Sequence, residues 1–172
     1  MNTQLDLISV NLNGFSGNSD SASLGVLAAT PYISRLSDVN ADGRYVAFVS
    51  RASDLVSTDS NNADDVFVHD RLTGTTTLVS VNSSGTNSGT NNSTNPLNRS
   101  SSYDPILSGD GRYVAFMSYA SDLVANDTND SSDVFVRDLV TGTTTLVSIN
   151  YSGTTSGSPG SYPFISSYDR DQ

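Results

Sequence analysis

Three observations predict an all-β fold of four-stranded antiparallel sheets. The 172-residue chain has no Glu and no Lys; all 18 acidic residues are Asp and all eight basic ones Arg. Two good helix formers are thus missing, while Ser, Thr, Asn, Gly and Asp, which favour turns and extended backbone, are abundant. The second observation is a long internal repeat. DGRYVAFVS begins at Asp42 and DGRYVAFMS at Asp110, and VFVHDRLTGTTTLVSVN begins at Val66 and VFVRDLVTGTTTLVSIN at Val134. Both pairs are offset by 68 residues (Asp42 to Asp110). The third is that segments such as Tyr113-Val114-Ala115-Phe116-Met117 and Val134-Phe135-Val136 place apolar side chains on both faces of an extended chain. Sheets made of such strands need cover on both sides. With no helical pattern to supply it, the cover has to be other sheets, the situation of stacked propeller blades.

Each full unit resolves into four strands. In the second copy strand a covers 104–108, and Asp110-Gly111 marks a tight type I′ turn, Gly supplying a positive φ. Strand b covers 112–118 and a polar loop runs over 119–132. Strand c covers 133–138, a turn 139–142, and strand d 143–150. In the first copy strands b, c and d fall at 44–50, 65–70 and 75–82. Partial copies flank these units. Leu7-Ile8-Ser9-Val10-Asn11 matches the end of strand d, and Tyr162-Pro163-Phe164-Ile165-Ser166 resembles strand a. The organisation predicted is the last strand of a preceding blade plus linker (1–30), blade one (31–82), a polar linker (83–102), blade two (103–150), and a linker with the first strand of a further blade (151–172). The Ser/Asn/Gly/Thr-rich connectors after strand d are expected to be exposed, mobile loops. Ends that fall inside repeat units predict a fragment of a longer gene product, with further blades in the same chain or by self-association.

A Pro-containing first strand, the Asp-Gly-Arg turn, the Tyr-Val-Ala-Phe strand and the Asp-Val-Phe-Val-x-Asp strand resemble the WD-like propeller repeats of the TolB type. The chain is also similar to bacterial multi-repeat proteins carrying Ala-Ser-Asp-Leu-Val, Asp-Thr-Asn and Thr-Gly-Thr-Thr-Thr-Leu-Val-Ser segments. The resemblance covers about residues 31–150 and implies propeller blades. It implies little about function, since propellers of this kind host binding, scaffolding and, in some families, hydrolysis.

The loop between strands b and c carries the one candidate site. Asp59, Asn61 and Asp65 in the first copy, and Asp127, Asn129 and Asp133 in the second, follow an Asp-x-Asn-x-x-x-Asp pattern. Such hard oxygen ligands at short spacing are what Ca²⁺ requires, although the Gly and Glu of the EF-hand loop are absent; the competing reading is an Asx-turn loop in a polar chain. Asp70 and Asp138 end strand c and are expected to start the following turn, and Arg44 and Arg112 to pair with an Asp of a neighbouring strand. His69, the only histidine, is replaced by Arg137 in the second copy, so it reads as a surface-facing strand residue and not as a catalytic base.

The formal net charge of −10 and the scattered arginines exclude a phosphate-tracking surface, so no nucleic-acid partner is expected. No apolar run is long enough to span a membrane, and none is expected to insert. The absence of Cys removes disulfide and thiolate chemistry. Together with the lack of a catalytic constellation, these features predict a non-catalytic binding or scaffold module that takes a protein or glycan ligand outside the cytoplasm. The N-terminal residues lack a signal-peptide pattern, so the export signal is expected elsewhere. The alternatives are the propeller portion of a larger hydrolase and a calcium-stabilised structural repeat.

Overall fold

The computed structural model describes residues 7–21, 37–91 and 100–157. They contain eight strands: β1 (Ser37–Val39), β2 (Tyr45–Ser50), β3 (Asp65–Asp70), β4 (Thr75–Leu78), β5 (Ser102–Leu107), β6 (Tyr113–Ser118), β7 (Asp133–Asp138) and β8 (Thr143–Leu146). They form two four-stranded antiparallel meanders, β1-β2-β3-β4 (unit 1) and β5-β6-β7-β8 (unit 2), and no helix occurs among the described residues. Their four-stranded order and face-to-face stacking are those of propeller blades. The first-strand segment predicted around 162–166 lies outside the described residues.

Register explains why both faces are apolar. Phe48 lies opposite Phe67, and Phe67 opposite Leu78. Cross-strand partners share a face, so these residues form an aromatic face whose rings stack at 5.7 Å. Ala47 opposite Val68 and Val49 opposite Val66 form the other, valine face. Unit 2 repeats the scheme, with Phe116 stacked on Phe135 at 5.7 Å. The valine face of unit 1 (Ala47, Val49, Val66, Val68 and Val79) packs against the aromatic face of unit 2 (Leu107, Val114, Phe116, Phe135 and Leu146) as one buried cluster. Each large side chain removed from water there contributes roughly 1.5–3 kcal/mol. Two edge contacts reinforce the stack: Leu107 N–H donates to Asp38 Oδ2 of unit 1 (2.8 Å), and Ala41 N–H to Gly109 O of unit 2 (3.2 Å).

Three expectations are corrected. The a–b turns are not type I′. Only Gly43 and Gly111 take a positive φ, 72° and 73°, and Asp42 and Asp110 do not. Gly43 N–H donates to Asn40 O, and Asp42 Oδ1 accepts Arg44 N–H, which makes a type I turn closed by a left-handed Gly. His69 is buried, 6% exposed, with Nδ1 3.0 Å from Thr76 Oγ1, because its strand is covered on both faces.

The polar connector, finally, is exposed at 83–87 as expected but is folded into a hairpin over residues 82–91. Asn82 Oδ1 accepts the N–H of Thr86, Val81 bridges to Ser88, and Ser88 and Gly89 are buried. The same hairpin recurs at Val10–Ser16 and Ile149–Ser156. A polar sequence folds here because Asn side chains and small residues satisfy the backbone locally.

Candidate functional site

The 82–91 hairpin is wedged between two loops. On one side it meets the b–c loop of its own unit: Ser88 N–H donates to Thr58 O (2.8 Å), Ser60 N–H to Ser88 Oγ (3.1 Å) and Asn61 Nδ2 to Gly89 O (2.7 Å). On the other side it meets the Ala-Ser-Asp-Leu-Val segment of the next unit. Thr90 donates to both carboxylate oxygens of Asp122, through N–H and Oγ1, each at 2.7 Å. A Cβ on Gly89 would stand 2.5 Å from Leu123 Cδ2 and 2.8 Å from Ala120 Cβ, so only Gly permits this approach. The N-terminal hairpin repeats the clasp on unit 1, where Asp54 accepts Asn18 N–H and Asn11 Nδ2.

Where the b–c loop of each unit meets its connector hairpin lie the residues singled out from sequence. Asp59 and Asp65 are 9% and 0% exposed, Asp127 and Asp133 7% and 2%. In each copy both aspartates of the motif are therefore buried. Serine hydroxyls hold them from outside. Ser80 Oγ accepts Val66 N–H and donates to Asp65 Oδ1; Ser148 Oγ accepts Val134 N–H and donates to Asp133 Oδ1. Asp59 is bonded by Ser88, and Asp127 by Ser156. The second oxygens, Asp59 Oδ1, Asp65 Oδ2, Asp127 Oδ1 and Asp133 Oδ2, are buried with no hydrogen-bond partner. Asn61 and Asn129 direct their carbonyl oxygens to backbone N–H groups, of Ala63 (2.8 Å) and Ser131 (3.0 Å), closing Asx turns. Among the described residues no three His, Cys, Asp or Glu side chains converge as metal ligands, so the carboxylate content of each cluster is two.

Burial raises the proton affinity of all four aspartates, most strongly that of Asp65. Asp127 is pushed up to about 6, first by burial and then by the charge of Asp133. The serines were not foreseen, although a signal existed: Ser80/Ser148 and Ser88/Ser156 recur at the repeat offset of the aspartates.

The turn residues form a different cluster at the opposite ends of the strands. Arg44 Nε and Nη2 donate to Asp70 Oδ1 (2.9 Å) and Oδ2 (2.7 Å), and Leu72 N–H also donates to Asp70 Oδ1. Arg112 and Asp138 repeat the fork. The guanidinium holds each carboxyl well below the usual carboxylate range. Each Arg also lies over the ring of the Tyr that follows it, at 4.7 and 4.9 Å. Asp70 and Asp138 are thus structural anchors of the c–d turn. A polar cleft of about 340 Å³ lies beside the unit 1 b–c loop, lined by residues including Arg51, Asn62, Asp64 and Ser101.

No protein-family model and no curated protein matches the chain. Solved structures similar to it include TolB from Acinetobacter baumannii, at 16% identity and a TM-score of 0.37, covering 69% of this chain and 22% of that one. The tricorn protease is similar at 18% identity and a TM-score of 0.37, covering 64% of this chain and 10% of the protease. The chain thus spans less than a quarter of the length of either.

Proposed function

We propose that the chain is a non-catalytic scaffold and binding module, assembled by stacking one unit's aromatic face on the previous unit's valine face. A further unit of the same kind covers the valine face of unit 2, and the polar loops take a protein or glycan ligand. The observation that carries this reading is a difference in burial at one repeat position. Val79, covered by unit 2, is fully buried, whereas its counterpart Val147 is 51% exposed. The polar groups support the same reading: the buried aspartates, serines and hairpins sit alike in both copies and tie loops together.

The test is a chain in which residues 83–150 are duplicated in tandem, giving unit 2 a neighbour. The added interface should raise the melting temperature by ~5 °C, on the scale of a few kcal/mol of apolar burial. An unchanged midpoint, with the third unit melting separately, would show that the valine face is not a stacking surface.

A further inference from the structure

The paired aspartates of the b–c loops each hold one carboxylate oxygen against a serine hydroxyl that already accepts a backbone N–H. Ser80 Oγ already accepts the N–H of Val66, so its own proton points to Asp65; Ser148 is committed in the same way by Val134. Ser88 and Ser156 accept the N–H groups of Ser60 and Thr128 and bond Asp59 and Asp127 with their protons. Hydroxyl donors on this side are what a carboxylate oxygen accepts from. The remaining oxygens are buried and unpartnered, and they are the same atoms in both copies: Oδ1 of Asp59 and Asp127, Oδ2 of Asp65 and Asp133. Within each pair one carboxyl feels the charge of the other, Asp65 that of Asp59 and Asp127 that of Asp133. Two ionised carboxylates placed together away from water are strongly unfavourable unless a cation or a shared proton lies between them, and the arginines that form the two carboxylate forks are engaged at the far ends of the strands by Asp70 and Asp138.

We propose that each b–c loop binds one Ca²⁺, bridged by the inner carboxylate oxygens of Asp59 and Asp65 in unit 1 and of Asp127 and Asp133 in unit 2. An all-oxygen donor set selects a hard cation. With two carboxylates per site the rest of the coordination shell falls to water and neutral oxygens, and the affinity belongs in the weak range, roughly 10⁻⁴–10⁻³ M. The ion would fasten the b–c loop to the connector hairpin, since Ser88 and Ser156 touch both.

Calorimetric titration of the full chain, freed of metal with a chelator, tests this directly. The expected result is two saturable sites per chain, one in Asp133→Asn and none in Asp65→Asn/Asp133→Asn, with two retained in the surface variant Asp42→Asn. Ca²⁺ should raise the melting temperature of the unmodified chain, and Mg²⁺ at equal concentration should raise it less. The unmodified chain decides the matter even if the double variant fails to fold: no saturable heat and no change in melting temperature up to ~10 mM Ca²⁺, tenfold above the weak end of the range, overturns the proposal. So does an equal or larger response to Mg²⁺. A shared proton in place of the ion would appear as an Asp133→Asn variant that melts higher than the unmodified chain in chelator and ignores Ca²⁺.

Discussion

Val79 and Val147 occupy the same place in two nearly identical sheets, yet one is sealed and the other half open to water. The difference recurs on the same face, where Val66 and Val68 are buried while Val134 and Val136 are only partly covered, although Met117 stays buried like its counterpart Val49. Local sequence cannot cause it, because the strands are almost the same. The cause is the neighbour, since unit 1 has unit 2 on its valine face. A repeat position thus acquires its energy from the interface on which it lies.

The largest test of this comparison is the same substitution in both copies. Val79→Asp places an unpaired charge in the inter-unit core and should cost about 3 kcal/mol or more. Val147→Asp should cost less than about 1 kcal/mol, as surface changes do. Chemical denaturation of the two variants measures the ratio, and equal costs would break the comparison.

A middle-sized effect is expected at the connector glycines. Gly89→Ala drives a Cβ into Leu123 and Ala120 of the next unit and should cost ~1–3 kcal/mol. Gly157 carries no such clash among the described residues, where a Cβ meets only Ser148 O at 3.4 Å. Gly157→Ala should therefore leave the midpoint nearly unchanged.

The smallest effect should be equal in the two units. Arg44→Ala and Arg112→Ala remove matching forks in which a half-exposed Arg holds the buried Asp70 or Asp138. The folded carboxyls titrate below their unfolded value, so the forks help in full above the ordinary carboxylate range, and their help fades as pH falls from that range to the depressed folded value. Acid melts of the unmodified chain and the two variants should converge at low pH. A gap that persists there would assign the effect to packing of the Arg stem over Tyr45 or Tyr113.

The repeat made the strands legible, since β3 and β7 fall at the residues that alternation and turn chemistry select. The aspartate motifs were legible for the same reason. Three features were hidden because they depend on contacts between distant segments. The hairpin at 82–91 is polar and rich in Gly and Ser, the composition of a mobile loop, and only Asn82 and the docking of Gly89 on the next unit reveal its order. The burial of His69 depends on its sheet being covered on both sides. The serine partners of the aspartates lie 15 residues from them in two cases, outside any local motif.

Native-state hydrogen exchange measures most directly whether a neighbouring unit, and not local sequence, sets the stability of each sheet. The amides of β3 should exchange more slowly than the matched amides of β7, and β7 should slow to the rate of β3 when a third unit is appended. Equal protection of β3 and β7 in the present chain, or no response of β7 to the added unit, would contradict the account.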